Sequence, residues 1–184
     1  MIIWLTSYPK SGNTWVRAFL SAYLYTTDGS FNMNSLNKIG EFPDHNILGK
    51  FMDSKDFHNL SEVSKHWIKV QESINQKQKN TYLKTHSALC NINNNIFTTS
   101  NTSLAFIYIV RDPRNVILSM SNHFGITQEE SFNNIINDKY IIYPGGNPST
   151  FVGRWNKHYL SWKNCNSINK IIIKYEDLIN DSRG

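Results

Sequence analysis

The sequence predicts an α/β fold: a parallel sheet with helices on both faces, opened by a strand–turn–helix of the phosphate-loop kind. Three observations carry this. The first residues form an apolar run that ends in a glycine turn and passes into a helical repeat. The clearest buried-strand signal, Leu104 to Val110, leads straight into a helix signal at Pro113. Elsewhere strand and helix signals alternate, the pattern of parallel strands joined by covering helices.

Taken in order, Ile2 to Tyr8 is short, apolar and closed by Pro9 and Gly12, which suits a buried strand. From Thr14 to Tyr25 the residues Trp15, Ala18, Phe19, Ala22 and Tyr23 recur at helical spacing. Residues 26–59 are rich in Asn, Asp, Gly and Ser and read as an irregular excursion. A helix is expected over 61–77, with Val63, Trp67, Val70 and Ile74 on one face. Thr81 to His86 is a short strand, and Leu104 to Val110 a buried one. Pro113 fits the first turn of a helix reaching about Asn122. Residues 125–149, polar and containing Pro144-Gly145-Gly146, read as a loop. A helix over 150–164 carries Phe151, Trp155, Tyr159 and Trp162, and Lys170 to Tyr175 is the last strand.

Composition narrows the class. A chain of 184 residues suffices for one domain, 1–184, and is short for two. With 40% hydrophobic and 13% aromatic residues, it has the material for a packed core rather than a disordered tail. The net charge of +5 suits an anionic ligand. Its Lys and Arg are scattered, however, and a nucleic-acid surface needs them clustered. Cys90 and Cys165 have no metal-type spacing and read as reduced thiols. No apolar run reaches membrane-spanning length, and the N-terminus lacks the leader of a secreted protein. The cytoplasm is therefore the expected location.

Three segments carry chemistry. In Tyr8-Pro9-Lys10-Ser11-Gly12-Asn13-Thr14-Trp15, strand passes into helix where backbone N–H groups and the helix dipole converge on an anion. Gly12 removes a Cβ, Lys10 adds charge, and Ser11 and Thr14 add hydroxyls. The lysine precedes the glycine, unlike the ordinary Walker loop. Ser11 and Gly12 alone would suit a plain capped turn; with Lys10 and Thr14 a phosphate site is the better reading. Second, Lys84 and His86 stand two apart at a strand's carboxyl end, so they point to one side. Open α/β sheets bind ligands at such ends, and a histidine there suits proton abstraction near neutral pH. The other five histidines, His158 among them, read as structural or solvated. Third, Arg111 ends the buried strand and offers a bidentate fork for phosphate, with Ser119 two turns into the following helix. From the residues alone, Arg111 stays open between that fork and an ion pair with Asp112, and Trp15 between ligand and core.

In this order the three segments resemble those of the sulfotransferases that use 3′-phosphoadenosine 5′-phosphosulfate (PAPS). The octapeptide is similar to that family's 5′-phosphosulfate loop, departing at Asn13, where threonine is common. The resemblance implies that Lys10, Ser11, Gly12, Asn13, Thr14 and Trp15 bind the cofactor, with Trp15 against adenine. It implies His86 as general base, with Lys10 and Lys84 as transition-state cations, and Arg111 with Ser119 as the 3′-phosphate clamp. Gly153-Arg154-Trp155 with His158 and Trp162, and Lys174-Tyr175-Glu176-Asp177-Leu178, resemble two further family segments, and Tyr175 would lie near adenine. The expected product is 3′,5′-adenosine bisphosphate (PAP), with a small-molecule, saccharide or peptide acceptor facing 26–59 and 125–149. No metal is expected. The family continues into an Arg-Lys-Gly segment that this chain lacks before Gly184, so a C-terminally incomplete domain is expected. Two rivals remain: a phosphotransferase with Asp112 on magnesium, and a non-catalytic PAPS- or PAP-binding remnant.

Overall fold

The computed structural model describes residues 1–143 and 145–180, so Pro144 of the expected loop and residues 181–184 lie outside the described residues. The chain opens with β1 (Ile2–Ser7) and α1 (Asn13–Tyr25). Short elements follow: α2 (Met33–Leu36), β2 (Gly40–Glu41), α3 (His45–Leu48), α4 (Leu60–Lys65) and α5 (Trp67–Asn75). Next come β3 (Thr81–Thr85), the small hairpin of β4 (Asn91–Ile92) and β5 (Asn95–Ile96), β6 (Ser103–Val110), α6 (Pro113–Phe124) and α7 (Gln128–Ile136). A second hairpin, β7 (Ile141–Ile142) with β8 (Thr150–Phe151), leads to α8 (Trp155–Lys163), β9 (Asn169–Lys174) and α9 (Tyr175–Asn180). Among the described residues no helix is long and apolar enough to cross a membrane.

The central sheet has five strands in the order β2-β3-β1-β6-β9. Every pairing in it is parallel, as the alternation of elements predicts. β1 lies in the middle, pairing Ile2 to Thr6 with Thr81 to Thr85 of β3 and Ile3 to Ser7 with Ala105 to Ile109 of β6. The core on one face is an aromatic cluster around the buried Trp4, whose ring meets Phe42 and Phe97, each at 5.4 Å between centroids. Trp67 of α5 and Trp162 of α8 close on Phe97 from their helices. The indole N–H of Trp4 donates to Ser103 Oγ at 2.7 Å and that of Trp162 to Ser87 O at 3.0 Å, so these buried rings keep their polar atoms paired. A smaller cluster of Tyr8, Val116, Met120, Ile135 and Val152 seats α6 and α7.

Three expectations are revised. Residues 26–59 are not wholly irregular: α2 and α3 sit there, each started by an Asn32 or Asp44 cap, and β2 adds an edge strand. The helix over 61–77 breaks at His66 (φ −104°, ψ −7°), yet Val63, Trp67, Val70 and Ile74 are all buried, so the predicted face survives the break. Residues 125–149 contain α7, started by a capping box between Thr127 and Glu130. In α1 the buried residues are Asn13, Val16, Ser21 and Ala22, whereas Trp15, Phe19 and Tyr23 are 43%, 60% and 74% exposed. Helical periodicity marks an apolar stripe; it does not say what covers it. At β9 the successive Ile171 and Ile172, which point to opposite faces, are both exposed.

Candidate functional site

The carboxyl ends of β3, β1 and β6 lie side by side, and each carries one of the three chemical segments. His86 follows β3, Tyr8 to Gly12 follow β1, and Arg111 follows β6. The start of α9, with Tyr175, follows β9 at the same edge.

The turn after β1 is built from unusual backbone. Lys10 (φ 65°) and Gly12 (φ 97°) both adopt left-handed conformations, and Ser11 N donates to Tyr8 O at 3.2 Å between them. Gly12 is the N-cap of α1, and no side chain caps that helix, so its first-turn amides are left without the usual capping partner. Ser11 Oγ is buried with no hydrogen-bond partner among the described residues, as are Asn13 Oδ1 and Thr6 Oγ1. Buried polar atoms are ordinarily paired, and of these the Ser11 hydroxyl can donate, so its unpaired Oγ beside an uncapped helix start fits a bound anion. Thr14 and Trp15 sit exposed on the first turn of α1, Trp15 stacked on Phe19. Asn13 does something else with its side chain. Its Nδ2 donates to Leu5 O at 3.0 Å and Ser7 Oγ at 3.3 Å, bracing the helix against β1. Any part it plays toward a ligand rests on its main-chain amide.

Arg111 reaches across to this turn, its Nη1 donating to Lys10 O at 2.9 Å. Its guanidinium stacks over the Tyr175 ring at 4.6 Å, and its Nε is buried without a partner among the described residues. The Tyr175 ring in turn lies against Gly12, where an added Cβ would come within 2.2 Å of Tyr175 Cδ2. The space freed by glycine is thus filled by tyrosine. Burial and then the charge of Arg111 push the Lys10 ammonium below its ordinary pKa. Asp112 is spoken for: its carboxylate accepts from the Arg114 amide and side chain, capping α6 and holding its own pKa down to about 2. Ser119, partly buried two turns into α6, makes no hydrogen bond to Arg111 among the described residues.

His86 Nδ1 lies 2.9 Å from Ser7 O. A carbonyl only accepts, so Nδ1 carries the proton and Nε2 is left with a free lone pair. Burial first, and then the charge of Lys84, push the imidazole pKa down to about 3, so the ring stays neutral across the physiological range. Lys84 Nζ pairs with Glu41 Oε1 at 2.9 Å across the β2–β3 edge. Glu41 was not legible in the sequence, because it lies on a two-residue strand inside a polar excursion. A surface hollow of about 610 Å³ between α8 and Leu89 contains none of these residues.

Fold and edge define an open, parallel α/β protein with its chemistry collected at one carboxyl end of the sheet. The chain belongs to the sulfotransferase domain family, whose model matches residues 2–184. No curated protein matches the chain in sequence. Among solved structures it is similar to mouse sulfotransferase SULT7A1 complexed with PAP, at 19% identity and TM-score 0.52, covering 98% of this chain and 53% of that one. It is also similar to retinol dehydratase in complex with androsterone and PAP, and with retinol and PAP, each at 14% identity and TM-score 0.57 over 98% of this chain and 56% of the other. At these identities the likeness concerns the fold. The chain spans about half the length of these relatives, 53–56%.

Proposed function

We propose that this chain binds PAPS along the carboxyl edge of its sheet and contributes the 5′-phosphosulfate loop, the general base and the 3′-phosphate arginine of a sulfotransferase. The acceptor is a hydroxyl or amine. One observation carries the reading most directly: Arg111, 101 residues from Lys10 in sequence, donates to the Lys10 carbonyl at 2.9 Å, and its charge bears on the Lys10 ammonium. The family match and the PAP held by both kinds of structural relative support the choice of nucleotide.

When bound, PAPS supplies the sulfuryl group and leaves as PAP. Lys10 and the first-turn amides of α1 hold the negative charge that grows on the leaving phosphate. Arg111 grips the 3′-phosphate, with Ser119 as second donor, and that contact selects PAPS over ATP. His86 Nε2 takes the proton of the acceptor. Lys84, oriented by its ion pair with Glu41, offers a cation for the sulfuryl oxygens. Trp15 offers an exposed ring to adenine, while Tyr175 acts first as the floor beneath Arg111.

Magnesium-dependent phosphotransfer loses its best residue, because the Asp112 carboxylate is engaged by Arg114 and the α6 N-terminus. Calorimetry tests the proposal. PAP should bind more tightly than ATP, Arg111→Ala should weaken PAP while sparing 5′-AMP, and His86→Ala should slow turnover with PAP affinity unchanged. Equal or tighter ATP binding would refute it.

A further inference from the structure

His158 reads in the sequence as a structural histidine, but the structure ties it to His86. It lies on α8 and is 1% exposed, 72 residues from His86 in sequence. Its Nε2 is 3.1 Å from His86 O, and its Nδ1 is 2.8 Å from the hydroxyl of Tyr108, itself buried on β6. Carbonyl chemistry fixes the protons. His86 O only accepts, so His158 Nε2 carries the proton; Nδ1 then has only a lone pair and accepts from Tyr108 O–H. The ring of His158 also meets Tyr8 edge-on at 5.4 Å, and Tyr8 in turn donates to Gly153 O at 3.3 Å, so the imidazole has no room to turn.

A directed chain results: Tyr108 O–H to His158 Nδ1, His158 Nε2–H to His86 O, and, from the same His86 residue, Nδ1–H to Ser7 O. We propose that Tyr108 and His158 are positioning residues that anchor the His86 peptide from behind, while Ser7 anchors its ring, so that the Nε2 lone pair is presented in a single orientation. The inference rests on the reading of His86 as base. Its logic is that β3 ends at Thr85, so His86 is the first residue without a sheet partner to hold it. A base on an untethered residue would sample orientations that waste the acceptor contact. The tether is neutral throughout, because burial also pushes the His158 pKa down to about 3. It therefore adds no charge of its own beside the Lys84, Arg17 and Lys10 cations that bear on His86.

The test uses the full chain labelled with nitrogen-15 at histidine, with Tyr108→Phe and His158→Gln as variants. Tyr108→Phe keeps the ring and removes only the donor. In the wild-type chain, imidazole NMR should show His86 protonated at Nδ1 and His158 at Nε2, each as one tautomer. In Tyr108→Phe the His158 ring loses one of its two hydrogen bonds and its nitrogen signals should broaden, and in both variants the His86 ring signals should broaden from the sharp wild-type pattern. Turnover should fall about tenfold, in the range of a misaimed proton acceptor, with PAP affinity within twofold of wild type, and the loss should vanish in a His86→Ala background. His86 ring signals as sharp as in the wild-type chain in both variants, or an undiminished loss in the His86→Ala background, would overturn the tether. Failure of the wild-type chain to bind PAP would count against the proposed function alone, since the NMR measurement needs no nucleotide.

Discussion

At Gly12 two constraints fall on one residue. Its φ of 97° is a conformation that L side chains rarely adopt, and an added Cβ would lie 2.2 Å from the Tyr175 ring. Gly12→Ala should therefore cost about 1–3 kcal/mol in thermal unfolding and, by displacing Tyr175 from beneath Arg111, weaken PAP in calorimetry. An alanine variant of wild-type stability and affinity would contradict the geometry. The two inward-facing imidazoles make a different prediction. His86 and His158 are each held near pKa 3, well below the ordinary value near 6.5. Below pH 6.5 the unfolded chain takes up protons that the folded chain refuses. Their contribution is complete above pH 6.5 and is lost as pH falls toward 3. Melting temperature should drop steadily from pH 7 to pH 4.5, and less steeply in His158→Gln; a flat profile would contradict it. Lys10, Ser11, His86 and Arg111 were legible in the sequence, because charge and hydroxyls cluster where a strand ends. The role of Asn13 as a brace was not, since an amide's partners depend on which way the helix is rotated. Glu41 and the Tyr108–His158 pair were hidden for the same reason: each matters through a contact distant in sequence.

Among the elements, the strand–turn–helix at the N-terminus and β6 followed by α6 were readable from apolar runs closed by Gly12 and Pro113. The elements missed were short or amphipathic without many apolar residues. In α7 the capping box is the visible signal, with Thr127 Oγ1 accepting from Glu130 N at 3.1 Å and Thr127 N donating to Glu130 Oε2 at 2.7 Å. Thr127→Ala should cost about 1 kcal/mol, read as a lower denaturant midpoint with unchanged slope. No loss would mean that packing on α6 alone holds α7. The α1 stripe shows the limit of periodicity, which marks the helix without saying which face is covered. Its small and polar side approaches β1 because Asn13 finds Leu5 O there and Ser21 Oγ meets Ser35 Oγ of α2 at 3.3 Å.

For the whole molecule, parallel pairing follows from alternation of elements, but the order β2-β3-β1-β6-β9 does not, and that order is what assembles the site. It sets the phosphate turn between the His86 strand and the Arg111 strand, which no one-dimensional pattern reveals. At its far side β9 pairs only with β6 among the described residues and shows Ile171 at 60% exposure. An exposed apolar edge invites pairing with another chain. Ile171→Lys should shift the isolated chain toward monomer in sedimentation velocity with stability changed by about 0.5 kcal/mol or less; identical sedimentation of the two proteins would contradict this. The central claim is that one concavity, floored by Tyr175 and walled by the turn after β1, receives both ends of a bisphosphorylated adenosine. A crystal structure of the chain with PAP tests it most directly. The 5′-phosphate should lie on the α1 amides beside Lys10 and the 3′-phosphate on Arg111; PAP bound elsewhere, or with neither phosphate touching these groups, would rule this arrangement out.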